Sequence, residues 1–262
     1  GLAAVILTSR LEVADPIVGK KWEFEAICCS ILGGTSMNIG KGDVKGTILG
    51  VALLTVIRSG MNVIRIPSMW QPAILGVILI LSIVFQVRAS TRMKKKINTA
   101  LPALSRMGVL LLIIVMGVII DPSFLSLRNI SNNLANASIL IILGVGETVA
   151  IITNGPDLSA GSIMTMGGVV TAILLKNYQI HFVVAILGGL AVGALLGAIN
   201  GYMIAYIKIP AFISTYGLQW AVFGFAYVVL NGYVIYSFDD AFRFIGNGTV
   251  FKYFSMTTVC MM

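Results

Sequence analysis

The chain has 262 residues, of which 58% are hydrophobic and only 11% are charged. A soluble domain is about a quarter charged, so this composition excludes an ordinary soluble enzyme and indicates a membrane protein with several spans. The formal net charge is +8, but the densest basic segment lies between apolar runs rather than beside a polar or aromatic surface, so no nucleic-acid partner is expected.

The apolar runs predict a bundle of transmembrane helices. A helix needs about 20 mainly apolar residues to cross a bilayer, and the runs are continuous rather than alternating, which argues against a β-barrel. We therefore predict an all-α polytopic bundle that is surrounded by membrane lipid and has about eight spans. Truncated spans are expected in addition at residues 1–9 and 250–262. The eight predicted spans are 26–39, 46–64, 69–87, 104–120, 137–153, 162–175, 182–206 and 210–230.

The basic residues predict how the bundle is oriented. Residues 88–106 contain six of the 18 Lys and Arg residues, and such segments face the cytoplasm. Alternation of the spans then places 40–45, 154–161 and 207–209 inside. It places outside the connections 10–25, 65–68, 121–136, 176–181 and 231–249. Lys20 and Lys21 disagree with this scheme, because they fall in a connection predicted to lie outside.

Two smaller features can be interpreted from local patterns. The polar segment SLRNISNNLANAS (126–138) has Leu and Ile at helical spacing, which predicts a short helix lying at the outer interface. Arg58 is near the end of a predicted span, where its side chain is expected to reach the interface.

The segment ITNGPDLSAGS (152–162) interrupts the apolar pattern. Proline lacks an N–H and glycine is permissive, so the segment cannot be a regular helix throughout. Non-helical backbone at membrane depth is tolerated only against protein or a water-filled cavity. Asp157 or Ser159 is therefore expected to cap the following helix, or to line a polar path. Glu147, with Thr148 and Thr153, fits either a polar path or a hydrogen bond between helices.

A weak internal repeat extends this interpretation to the first part of the chain. Gly34, Gly40 and Gly46 stand at the same offsets as Gly155, Gly161 and Gly167. Internal repeats that meet at interrupted helices are a known plan for transport proteins. The candidates for a translocation path are Glu147, Thr153, Asn154, Asp157 and Ser159, with Thr35, Ser36 and Asn38 from the first part.

The sequence contains no arrangement typical of catalysis. There is no phosphate-binding G-x-x-x-x-G-K-[ST] segment and no set of nucleophile, histidine and acid. The three cysteines and the single histidine do not have metal-binding spacing. We therefore expect no enzyme activity, no metal and no cofactor in this chain, and ATP, if it drives transport, should be bound by a separate subunit.

Several motifs resemble permeases of bacterial ribose/galactose-type ABC importers. ITNGPDLSAGS is similar to the I-T-G-G-I-D-L-S-V-G-S of that family, with Asn154 and Pro156 as departures. PSFLSLRNISNNLANAS, GAINGYMIAYIKIPAFISTYG and DDAFRFIGNG resemble successive parts of the amino-terminal half of such a permease. EFEAICCSILGGTS and SMWQPAILGVILILSIVFQ resemble its carboxy-terminal half.

The order of these two parts is the reverse of the family order. The resemblance divides the chain into carboxy-terminal-half-like helices (1–90), a basic cytoplasmic linker (91–106) and amino-terminal-half-like helices (107–262). A fusion of tandem permeases, a fragment or a circular permutant would each give this order.

The family implies an ABC ATPase subunit, a periplasmic sugar-binding protein and a second permease domain, acting in the bacterial inner membrane. Two alternatives remain open at this point. One is an ion-coupled secondary carrier, and the other is a non-transporting fragment of a fused permease.

Overall fold

The computed structural model describes residues 1–36, 40–92, 100–153, 155–250 and 254–256. Within these ranges the helices are α1 (Leu2–Leu11), α2 (Trp22–Leu32), α3 (Val44–Val63), α4 (Gln71–Arg92), α5 (Ala100–Ile120), α6 (Leu127–Thr153), α7 (Ala160–Lys176), α8 (Phe182–Ala205), α9 (Ala211–Val229) and α10 (Asp240–Asn247). A 3-10 helix spans Pro122–Leu125, and four two-residue strands are β1 (Val13–Ala14), β2 (Ile235–Tyr236), β3 (Thr249–Val250) and β4 (Phe254–Ser255).

Each of the eight predicted spans overlaps one of the helices α2 to α9. Four helices in the described part, α3, α6, α8 and α9, are both long enough and apolar enough to cross a membrane. Many apolar side chains on α8 and α9 point away from the bundle, as expected of helices that contact lipid. The prediction of an all-α polytopic membrane protein is therefore confirmed.

The first and second parts of the chain pack into a single bundle. Cys29 of α2 and Leu54 of α3 share a buried apolar cluster with Leu140 of α6. Polar contacts join the same three helices: Ser30 Oγ donates to the Gly144 carbonyl at 3.0 Å, and the hydroxyls of Thr47 and Thr148 are 2.5 Å apart. The nearly fully buried helix α1 packs against α7 and α10. The division at the basic linker stays a prediction based on sequence resemblance.

Three of the connections lie together at one end of the bundle. Gly40 and Gly42 lie against Ile152 near the end of α6, and residues 153 and 155–157 share a cavity with 208–211. The sequence predicts that all three connections face the cytoplasm, so we call this the inner end and the opposite one the outer end. At the inner end, Gly34 and Gly155, which correspond in the weak repeat, both have a positive φ, 96° and 136°.

The connection predicted at 10–25 is only partly at the outer end. Val13 and Ala14 pair with Tyr236 and Ile235 there, but the chain then turns back into the bundle. The backbone N–H of Gly19 donates to Thr165 Oγ1 of α7 at 2.9 Å. Trp22 packs beside Leu143, near the middle of α6.

Helix α2 therefore begins inside the bundle and is not the predicted span 26–39. Its 11 residues measure about 16 Å, about half of the roughly 30 Å hydrocarbon core. The sequence prediction was wrong because apolar content gives no sign of where a chain re-enters a bundle. The disagreement of Lys20 and Lys21 with the outside assignment is explained by this re-entry.

The predicted interfacial helix at 126–138 is also wrong as a separate element. These residues form the first turns of α6, which continues without a break to Thr153. Two of the polar side chains that suggested an interface face α3 instead: Asn129 and Asn133 each donate to Ser59 Oγ at 3.0 Å. Because their hydrogen bonds are made inside the protein, the helix does not need to lie flat on the membrane surface.

The outer end is closed by short elements. Helix α10 packs on α1, where Ser9 Oγ donates to the Phe242 carbonyl at 2.5 Å and accepts from the Gly246 N–H at 2.7 Å. Strands β3 and β4 pair in an antiparallel hairpin. The expected start of a further span at 250–262 lies largely outside the described residues, and the described residues 250, 254 and 255 belong to this hairpin.

Candidate functional site

The interrupted segment folds back against the helix that precedes it. Helix α6 ends at Thr153, and Gly155 then adopts φ 136°, a conformation that side chains disfavour. The chain turns so that the backbone N–H of Asp157 donates to Glu147 Oε1 at 2.9 Å. Glu147 is buried, and its Oε2 has no hydrogen-bond partner in the described part of the chain. Its carboxyl group thus holds the broken segment at membrane depth.

A chain of polar side chains links this segment to α8 and α9. Asp157 Oδ1 accepts from the backbone N–H of Ser159 at 2.8 Å and from its hydroxyl at 2.5 Å. Asn200 Nδ2 lies 3.5 Å from Ser159 Oγ, and Asn200 Oδ1 accepts from Ser214 Oγ at 2.7 Å. Ser159, Asn200 and Ser214 are buried, so these hydrogen bonds fix the relative positions of three chain segments.

A cavity of about 690 Å³ opens beside this polar chain. Its wall includes Gly155, Pro156, Asp157, Asn200 and Lys208. The cavity is therefore lined by an acidic, an amide-bearing and a basic residue. Apolar contributions come from α6, α8 and the start of α9: Ala150, Ile204, Ala205, Ile209 and Ala211.

The structure separates the alternatives for the polar residues around this segment. Ser159 is the N-cap residue of α7, but neither its side chain nor that of Asp157 bonds to an N–H of the helix. Asp157 instead orders the turn before the helix. Glu147 accepts its hydrogen bond from the backbone N–H of Asp157 rather than from another helix. Thr148 binds Ser30 between helices, whereas Thr153 lines the cavity.

Thr35 and Ser36, the two described candidates from the first part of the chain, lie near this site but do not line the cavity. Thr35 is buried, with its hydroxyl against Gly42 and without a partner in the described ranges. Ser36 bridges to Lys41 through the backbone, its N–H donating to the Lys41 carbonyl at 2.8 Å. Asn38 and Asn154 lie outside the described residues, so their predicted roles stay predictions.

Sequence reasoning missed two acids, one buried and one half-buried, that contact other helices. Glu23 is 1% exposed and accepts a 2.6 Å hydrogen bond from Gln219 Nε2 of α9. Glu25 forms a two-pronged ion pair with Arg58 of α3 beside a second, largely apolar cavity of about 340 Å³. Arg58 therefore does not reach for the interface as expected. Both acids precede the apolar stretch of α2, and only the re-entry of the chain reveals that they are internal.

Comparison with known proteins gives matches over most of the chain. A protein-family model described as branched-chain amino acid transport system / permease component matches residues 1–83 and 129–258. The galactose/methyl galactoside import permease protein of Haemophilus influenzae is 35% identical over 153 residues, which are 52% of this chain and 46% of that protein. The D-allose transport system permease protein of Escherichia coli is 33% identical over 132 residues, 50% of this chain and 40% of that protein.

A third relative gives a shorter match. The ribose import permease protein of Bacillus subtilis is 35% identical over 89 residues, 34% of this chain and 28% of that protein. The chain thus spans less than half the length of each of these three relatives. No solved structure matches this chain.

Proposed function

Because this chain belongs to the family of branched-chain amino acid transport system permease components, we propose that it forms part of the translocation path of an ATP-driven importer of monosaccharides. Its apolar helices and its permease relatives make it a multi-pass protein of the bacterial inner membrane. The relatives carry names for import of galactose, methyl galactoside, ribose and allose, which motivates the choice of a monosaccharide.

The observation that carries the proposal is the cavity beside the broken helix. Interrupted helices near the membrane interior supply polar backbone that a continuous helix keeps bonded to itself. Here the cavity wall combines Gly155 and Pro156 of the broken segment with Asp157, Asn200 and Lys208. A monosaccharide has several hydroxyl groups, each able to donate and accept, and therefore suits a wall that carries both kinds of partner.

The proposed partners follow from the same family. We expect a separate ABC ATPase subunit that binds the ATP, a periplasmic sugar-binding protein that delivers the sugar, and a second permease domain that completes the path. Residues 91–106 would then be a linker between parts of two permeases. The proposed path would be lined by Asp157, Ser159, Thr153 and Glu147, with Asn154, Thr35, Ser36 and Asn38 as further candidates.

Uptake measurements test this function. Right-side-out vesicles containing this chain, an ATPase and a binding protein encoded beside it should accumulate labelled galactose or ribose when loaded with ATP. Inhibition of the ATPase should stop uptake, whereas an uncoupler in the presence of ATP should not. The reverse pattern would indicate an ion-coupled carrier and contradict the proposal. No uptake under either condition would favour a non-transporting fragment.

A substitution then tests the site. Asp157→Asn keeps an acceptor for Ser159 but removes the charge, and a hydrogen bond to a charged group contributes about 1.5–3 kcal/mol, so uptake should fall about tenfold. Asp43→Asn is the matched control, because Asp43 is an exposed acid before α3 whose side chain makes no capping bond. Unchanged uptake of Asp157→Asn at normal membrane levels would remove Asp157 from the path.

A further inference from the structure

Three aromatic side chains on α9 form a continuous strip outside the packed bundle. Phe212, Tyr216 and Trp220 are 60%, 46% and 54% exposed. The ring centroids of Phe212 and Tyr216 are 5.9 Å apart with nearly parallel planes, and those of Tyr216 and Trp220 are 6.3 Å apart, edge to face. Four residues advance a helix by about 6 Å, so the spacing of the three residues along α9 places each ring in contact with the next. We call these three residues the aromatic strip.

One end of the strip carries a positive charge. Lys20 Nζ lies 5.7 Å from the centroid of the Trp220 ring, within the range of a cation–π contact. Both Lys20 and the adjacent Lys21 are exposed. Lys20 directly follows Gly19, whose backbone is bonded to Thr165 of α7.

These lysines lie near the middle of the membrane. Glu147 is six residues before the end of α6 and is level with the turn at Asp157, while Thr165 is five residues into α7. At 1.5 Å per residue, Gly19 is about 16 Å from the inner end, close to half of the hydrocarbon thickness. A lysine at that depth cannot extend its ammonium group to either interface, and exposure of that charge to lipid is strongly unfavourable. The surface that holds Lys20 and Trp220 therefore does not face lipid.

The other end of the strip runs beside the cavity of the functional site. Ala211 and Thr215 line that cavity, and Phe212 lies on the neighbouring face of the same first turn of α9. The hydrogen bond from Gln219 to the buried Glu23 holds α9 against the start of α2, next to Trp220. The strip thus extends along α9 from the middle of the membrane to the level of the polar cavity at the inner end.

We propose that the aromatic strip, with Lys20 at its far end, is the wall of the water-filled path along which the monosaccharide moves, stacking its apolar C–H faces on successive rings. The proposal rests on the proposed sugar-import function and adds to it the residues that hold the cargo between the middle of the membrane and the inner cavity. Aromatic rings suit this task because the negative π-face attracts the C–H edges of a sugar. Because the three rings are alike in this respect, the sugar can pass from one to the next without a deep energy minimum.

Water accessibility tests the path independently of transport. Trp220→Cys, Tyr216→Cys and the control Phe225→Cys are made in a chain whose three cysteines have been replaced. Phe225 is 60% exposed on a different side of α9. A charged, water-soluble methanethiosulfonate should modify Cys at 216 and 220 at least about tenfold faster than at 225, because only a hydrated thiol ionises. Equal rates at 220 and 225 would overturn the proposal.

Sugar uptake by the complete complex tests the cargo. A stacking contact is worth about 0.5–1.5 kcal/mol, so Trp220→Ala should lower the uptake rate up to about tenfold. Trp220→Phe should restore most of the rate, and Phe225→Ala should leave it unchanged. Equal rates for Trp220→Ala and the unsubstituted chain would overturn the stacking role while leaving the proposed function intact. Failure of the unsubstituted chain to import sugar would instead overturn the proposed function, and the thiol rates would still report whether the face is hydrated.

Discussion

The carboxyl group of Glu147 accepts a hydrogen bond of 2.9 Å from the backbone N–H of Asp157, ten residues further along the chain. Helix α6 ends between the two residues, and this bond fixes how far the broken segment turns back into the bundle. A buried backbone N–H without a partner is destabilising, so the acid at 147 and the turn at 155–157 depend on each other. The loop that lines the cavity is therefore held from the helix preceding it.

Substitutions at Glu147 should separate this hydrogen bond from the charge. Glu147→Gln retains an acceptor for the Asp157 N–H, whereas Glu147→Ala leaves that N–H unsatisfied at a cost of about 1–3 kcal/mol. We expect the alanine variant, but not the glutamine variant, to unfold at a clearly lower temperature in detergent. The measurement is the loss of monodisperse protein on heating, followed by size-exclusion chromatography. Equal thermal stability of the two variants would show that the bond does not hold the loop.

Gly161 should not tolerate even a methyl group. A Cβ at this position would overlap the Glu23 carboxylate and the carbonyl of Gly19. This is where the re-entrant segment, residues 15–21, crosses α7. Overpacking of this kind costs about 1–3 kcal/mol, so Gly161→Ala should lower the melting temperature and the membrane level. Gly146→Ala is the matched control, because a Cβ there meets nothing within 4 Å and alanine favours the helix. A Gly161→Ala chain as stable as the control would place the re-entrant segment elsewhere.

Removing one charge of the Glu25–Arg58 ion pair should lower stability more than removing both charges. Removal of one member of a buried pair leaves an uncompensated charge at a cost of about 3–5 kcal/mol. The Arg58 side chain is 33% exposed, so we expect a loss of stability at or below the lower end of this range. Arg58→Met should therefore be less stable than the double variant Glu25→Gln/Arg58→Met in the same heating assay. If the double variant is no more stable than Arg58→Met, the two charges are not coupled.

The sequence predicted that the chain is built from apolar helices and that they are interrupted near 155–159, because both follow from local composition. It also singled out Glu147 and Asp157, since an acid in an apolar run must be accounted for. The contacts of Lys20, Glu23 and Arg58 could not be predicted, because they depend on α2 starting inside the bundle. Asn129 and Asn133 were assigned to the interface for a related reason: polarity shows that a side chain needs a partner but not whether that partner is water or Ser59.

The re-entry of residues 15–21 leads to a prediction about membrane topology. If residues 10–25 formed an ordinary outer connection, a thiol at position 20 would react with an impermeant maleimide as readily as one at Tyr178, which lies in the connection before α8. In the structure, Gly19 is bonded to Thr165 inside the bundle, whereas Tyr178 is 69% exposed at the outer end. The two positions should therefore differ in rate, although both are reached from the same side.

Single-cysteine variants in a chain without other cysteines can measure this difference. In intact spheroplasts we expect fast labelling of Tyr178→Cys, slower labelling of Lys20→Cys, because the neighbouring Gly19 is bonded inside the bundle, and none of Lys41→Cys at the inner end. Inverted vesicles should reverse the order of positions 178 and 41, because the orientation predicted from the basic segment places them on opposite sides. Equal rates at 20 and 178 in spheroplasts would contradict re-entry. Labelling of position 41 in spheroplasts would contradict the orientation itself, while the difference between positions 20 and 178 would still measure how deeply the segment is buried.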